Sequence, residues 1–150
     1  PYFIINQIQV ILMILVGMFV VPLCGGDKLI ISGNYFLIFA MSSVISFAAI
    51  CFALFIASIC NTTEGATSIG GISNVILAAI GGIMVPKFVM PKFMQDFSEY
   101  SPMSWAMEGL LEIFVRGGSF ADISNYMLYL SVFALTFLGL SYGFLTRFFK

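Results

Sequence analysis

The sequence predicts an all-α, polytopic membrane protein: four transmembrane helices, with short re-entrant or interfacial helices before the last span. Three observations carry this reading. The chain of 150 residues is 61% hydrophobic and only 9% charged, whereas a soluble domain carries roughly a quarter charged residues. Too little polar side chain is present to coat a water-facing globule, and lipid is the solvent in which an apolar outer surface carries no penalty. Four stretches hold no ionisable acid or base: Tyr2 to Val21, Leu29 to Cys60, Gly65 to Val85 and Ile123 to Thr146. Each is about twenty residues or longer, enough to cross roughly 30 Å of hydrocarbon as a helix.

The spans are expected at about 2–21, 35–59, 66–85 and 123–146, in a single transmembrane domain covering 1–150. Pro22, Gly25 and Gly26 close the first, and Asp27-Lys28 follows in water. Ser32-Gly33-Asn34 makes the turn before the second. Asn61-Thr62-Thr63-Glu64-Gly65 reads as a short polar turn, which sets the second and third spans antiparallel. The chain starts on Pro1 and is apolar at once, with no basic n-region or cleavage site. Upstream sequence is therefore expected, with this chain as the C-terminal part of a longer protein.

The segment 86–121 differs. Together with Asp122 it holds eight of the thirteen charged residues, as well as Pro86, Pro91 and Pro102. Ser101 and Pro102 form an N-cap and N1 pair, and the helix they start runs through Trp105, Leu110 and Phe114 to Gly117-Gly118. Glu108, Glu112 and Arg116 recur at i,i+4. The helix is too short and too charged to span, and its apolar face, with Trp105, Met107, Leu111 and Phe114, needs a partner.

Small residues recur at helical spacing. Ala49, Ala53 and Ala57 form one ridge, and Gly70, Asn74, Ala78 and Gly82 form another. Gly139 and Gly143 make a GxxxG pair. Such ridges let membrane helices approach closely, and Asn74 calls for a hydrogen-bonding partner inside the bundle.

Several function classes fall away. Net charge is −1 without a basic run, so nucleic-acid binding has no electrostatic footing. The chain has no histidine, so Ser-His-Asp and Cys-His machineries cannot be built from it alone. Cys24, Cys51 and Cys60 show no CxxC spacing, and neither a disulfide framework nor a metal site is indicated. Cys51 reads as a packing residue. Glu108 and Glu112 could in principle serve acid–base chemistry, but a helix side paired with Arg116 accounts for them more simply. The spans bury no charge of the kind that proton-coupled pumps use. An amphipathic or lipid-like solute suits such a pathway better than a small ion. A phosphate loop of the G-x-x-x-x-G-K-[ST] type is absent.

A resemblance then emerges from four pieces in order: Gly81-Gly82-Ile83-Met84-Val85-Pro86, Met90-Pro91, Tyr100-Ser101-Pro102-Met103-Ser104-Trp105-Ala106 and Phe114-Val115-Arg116-Gly117-Gly118. Together they resemble the C-terminal half of type-2 permeases of ABC exporters. The resemblance implies a six-span permease that works as a homo- or heterodimer in the bacterial inner membrane. Its partner would be an ABC ATPase (nucleotide-binding) subunit carrying ATP and Mg, and no cofactor would sit on this chain. It implies a re-entrant motif at Gly82, Pro86, Pro91, Pro102, Trp105, Glu108 and Gly117, on the outer side of the membrane. The ridge Gly70, Asn74, Ala78 and Gly82 would pack helices or line the pathway. Asn61, Thr62, Thr63 and Glu64 would contact the ATPase on the inside. Counting Lys28, Lys87, Lys92 and Arg116 against Arg147 and Lys150 by the positive-inside rule favours the opposite orientation. The alternative reading is a secondary transporter or channel fragment not coupled to ATP, which predicts an internal repeat with paired broken helices.

Overall fold

The structure, a computed structural model, describes residues 1–27, 34–85 and 87–148. The expected turn at Ser32-Gly33, the motif residue Pro86 and the terminal Lys150 lie outside the described residues. Helices account for 83% of the described chain, and no strand occurs among those residues. Helix α1 runs Tyr2–Leu23, α2 Tyr35–Ile59, α3 Thr63–Ile80, α4 Lys92–Ser98, α5 Pro102–Phe114 and α6 Phe120–Phe148. A 3-10 turn, Lys87–Val89, precedes α4.

The helix ends follow from local chemistry. Asn34 caps α2, its side chain accepting from the Phe36 N–H at 3.0 Å, and Thr62 caps α3 by accepting from the Gly65 N–H at 3.1 Å. Thr63, Glu64 and Gly65, expected in the turn, are therefore the first turn of α3, where the Glu64 carboxylate suits the positive end of the helix dipole. Helix α6 starts earlier than the expected position 123. Asp122 accepts from both the backbone N–H and the hydroxyl of Ser119, each at 2.8 Å, which satisfies the Ser119 N–H as the carboxylate half of a capping box does.

The third helix also ends earlier than expected, at Ile80 rather than Val85. Gly82 sits at φ +83°, and the Ile83 N–H reaches back to the Ala78 carbonyl at 3.3 Å. This is the Schellman closure, which a residue with a Cβ resists. Gly82 therefore lies beyond the helix and is not the last step of the ridge Gly70, Asn74, Ala78. Inside α1 the hydrogen-bond ladder widens to a π turn over Val16–Val20, just before Pro22, which has no N–H to donate.

Among the described residues three helices are long and apolar enough to cross a membrane: Tyr2–Leu23, Tyr35–Ile59 and Phe120–Thr146. Helix α3, with 18 residues, is roughly 27 Å long. Thr63, Glu64, Thr67, Ser68 and Asn74 dilute its apolar character, so it stands outside that group of three although the sequence expects a fourth span.

The core lies between α2 and α6, with α5 laid across both. Met41 of α2, Ile113 of α5, and Ile123 and Ala134 of α6 are wholly buried. Cys51 is buried in the same cluster, as a small packing residue would be. Further along, Phe52 and Phe55 of α2 meet Phe137 of α6 edge-on, at centroid separations of 5.3 and 5.0 Å. Helix α5 fits because residue 109 is glycine. A Cβ there would overlap the Met41 methyl and lie 3.4 Å from the Tyr126 Cβ.

Helix α1 joins the bundle through α2. Its one buried residue is Gln7, between two serines one turn apart. The Ser42 hydroxyl donates to Gln7 Oε1 at 3.0 Å, and Gln7 Nε2 donates to Ser46 Oγ at 3.3 Å. In contrast, the GxxxG pair finds no neighbour among the described residues: a Cβ at Gly139 or Gly143 would meet nothing within 4 Å.

At Gly81 an added Cβ would lie 2.6 Å from the Met103 Cβ and 2.8 Å from the Leu77 carbonyl oxygen, neither of which is a flexible side-chain end. Gly81→Ala is expected to push α5 away from α3 and to lower stability by about 1–3 kcal/mol. Thermal unfolding of the full-length protein in a mild detergent reads this as a lower midpoint, and an unchanged midpoint would refute the close approach.

Candidate functional site: an apolar cavity and a polar vestibule on two faces of helix α5

Helix α5 has 13 residues, about 20 Å of length, and packs against α2, α3 and α6. Of its expected apolar face, Trp105 and Phe114 pack against the core of this chain. Leu110 and Phe114 are partly buried against the α2–α6 core, and Ile113 wholly so. Two hollows flank it.

The first is an apolar cavity of about 380 Å³ bounded by α2, α3, α5 and α6. Ala49, Ala53 and Phe52 come from α2, Gly70, Asn74 and Leu77 from α3, and Leu130 and Phe133 from α6. Pro102, Met103 and Ala106 of α5 complete the wall. The small residues at Ala49, Ala53, Gly70 and Asn74, expected to bring helices together, instead leave room between them. Asn74 is exposed on this wall, and with Thr67 it supplies the side-chain polarity of an otherwise hydrocarbon lining. Ala78 is partly buried and does not line the cavity.

The second is a vestibule of about 650 Å³ on the other face of α5. Its wall holds Ser104, Trp105 and Glu108 of α5, Tyr126 and Tyr129 of α6, Glu99 and Tyr100 from the link between α4 and α5, and Lys87. The Lys87 ammonium meets Glu108 Oε1 at 3.0 Å. The Trp105 indole N–H donates to the Glu99 carbonyl at 2.6 Å, and its ring lies 5.4 Å from that of Tyr129.

Several expectations for this segment change. Glu108 pairs with Lys87 across the loop and not with Arg116, whereas Glu112 does pair with Arg116. Each carboxylate thus has its own cation. Ser101 stands at the N-cap position but makes no side-chain cap. Its hydroxyl points instead at the Leu77 carbonyl of α3, 3.4 Å away, tying the start of α5 to the end of α3. Gly117 adopts φ +64° after α5, and the Gly118 N–H closes on the Glu112 carbonyl at 2.8 Å. Pro91 precedes α4 as its N-cap. Gly82, Pro102, Trp105 and Glu108 gather around the α3–α5 junction and the vestibule, while Asn61, Thr62, Thr63 and Glu64 sit at the α2–α3 connection, apart from both hollows. Sequence reasoning missed Gln7, Tyr126 and Tyr129. The first is one of three amides, with Asn6 and Gln9, near the start of the first span, and the tyrosines sit unmarked in the last span.

Apolar helices with their hydrocarbon faces exposed, around a lipophilic hollow and a short charged helix, define an integral helical membrane protein. Residues 1–115 match the family model described as ABC-2 type transporter. The chain belongs to that family, as the permease-like pieces in its sequence imply. The linearmycin resistance permease protein LnrN of Bacillus subtilis (strain 168) is 31% identical over 91 residues, which are 61% of this chain and 24% of that protein. The chain therefore spans about a quarter of the length of this relative. No solved structure matches.

The Lys87–Glu108 pair is partly withdrawn from water, with side chains 32% and 25% exposed. A double-mutant cycle with Lys87→Ala and Glu108→Ala is expected to give a coupling of about 1 kcal/mol. Thermal unfolding of the two single variants and the double variant measures it, and additive effects would show that the pair contributes nothing.

Proposed function

We propose that this chain is part of the membrane-spanning subunit of an ATP-driven ABC-type exporter. The observation that carries the reading is the family match over residues 1–115. Two such subunits, alike or different, form the pathway as a permease dimer, and a separate ATPase subunit holding ATP and Mg drives it. The α2–α3 connection, Asn61 to Glu64, faces the cytoplasm and meets the ATPase there. The segment with α4 and α5 is re-entrant from the outer face of a bacterial inner membrane.

The cavity supports an apolar or amphipathic solute. Its wall is hydrocarbon apart from Asn74 and Thr67, and a solute of matching character replaces water there at a gain of about 25 cal/mol per Å² of apolar surface. The resistance named for the Bacillus subtilis relative supports export over import.

Two experiments test this. The full-length protein and its ATPase in proteoliposomes are expected to move an amphipathic compound only when ATP is supplied. Gly70→Trp, which fills the cavity, is expected to cut that transport at least about tenfold, since roughly 1.4 kcal/mol of lost binding suffices. Transport without any ATPase would overturn the coupling, and an unchanged rate in Gly70→Trp would remove the cavity from the pathway. For orientation, Glu64→Cys in a protein lacking Cys24 and Cys60 is expected to react with an impermeant thiol reagent in inverted vesicles and not in intact cells. The reverse pattern would invert the topology.

A further inference from the structure

We propose that the vestibule beside α5 is a binding site for an organic ammonium group, the cationic head of an amphiphile. Such a site is independent of ATP coupling and lies on the opposite face of α5 from the apolar cavity.

Three features select a cation. The first is aromatic surface on two elements. Trp105 comes from α5 and Tyr126 and Tyr129 from α6, all on the wall of one hollow. The faces of such rings attract ammonium groups through the ring quadrupole, most strongly for tryptophan. The second is charge. Lys87 is already engaged by Glu108 at 3.0 Å, so an anion would have to break that pair to reach it. Glu99 lines the same wall and forms no ion pair among the described residues. The residues of the described wall thus include an acid without an ion-pair partner and no cation without one.

The third feature is preorganisation. The Trp105 N–H is held by the Glu99 carbonyl at 2.6 Å, and the ring rests beside Tyr129 at a 47° interplanar angle. The indole plane is therefore fixed before a ligand arrives, which reduces the ordering that binding requires. With about 650 Å³, the hollow has room for a trimethylammonium group and the start of its chain. Neighbouring α5 and α6 place this charged, aromatic chamber next to long apolar helices. A ligand with a cationic head and a hydrocarbon tail can satisfy both surfaces at once.

The full-length protein in a maltoside detergent, titrated with tetramethylammonium chloride and followed by saturation-transfer NMR, tests this without any ATPase. The neutral isostere tert-butyl alcohol is the control. Saturable binding of tetramethylammonium with no binding of the alcohol is expected. Glu99→Gln, at an exposed position, and Trp105→Leu are each expected to weaken binding about tenfold, while Trp105→Phe keeps most of it. Equal binding of the alcohol, or tetramethylammonium binding unchanged in both Glu99→Gln and Trp105→Leu, would overturn the proposal. Either result would leave the exporter reading untouched.

Discussion

The arrangement rests on one packing contact: α5 seated across α2 and α6. Three details make it possible. Glycine at position 109 leaves space for the Met41 methyl, Ile113 is wholly buried in the core of the long helices, and Ser101 with Met103 sets the start of α5 against the end of α3. A short helix cannot satisfy a lipid environment on its own, because its terminal backbone groups and its charges need partners. Here those partners are protein. Because α5 is wedged in this way, it divides the interior into two hollows of opposite character, one of hydrocarbon and one of aromatic rings and charge.

Both hollows depend on what the long helices withhold. Between α2 and α3, alanine and glycine at facing positions take up less volume than the helix separation provides, and a void results. Around the vestibule the volume is bounded instead by large, stiff side chains. Two tyrosines of α6 and one tryptophan of α5 hold the walls apart, and the loop lysine closes over the carboxylate of Glu108.

Much of the helical layout is legible in the sequence, because its signals are local. Charge-free runs mark the long helices. Asn34 and Thr62 are polar residues placed where exposed backbone N–H groups need acceptors, and α2 occupies the stretch from Tyr35 to Ile59 that the pattern points to. Pro102 starts α5, and the glycine pair 117–118 ends it, for equally local reasons. What escapes sequence reasoning is tertiary. The i,i+4 order of Glu108, Glu112 and Arg116 predicts a single ladder, but Lys87 reaches Glu108 from a loop some twenty residues away. Ser101 reads as a cap, and its hydroxyl goes to another helix. The ridge of Gly70 and Asn74 reads as a packing seam, and it borders open space, since small side chains permit close approach without compelling it. Gly82 belongs to the ridge by spacing, but its left-handed backbone takes it out of the helix.

The pair of hydrogen bonds at Gln7 has a mechanical consequence. The amide uses both its oxygen and its nitrogen on serines one turn apart along α2. Rotating α1 about its own axis would turn that amide away from both serines, and sliding it by a single turn would leave it beside one of them at most, so a buried polar group would lose a partner. Along the stretch before the π turn at Val16 to Val20, α1 is thus held to α2 in one register by a polar contact inside an otherwise apolar interface.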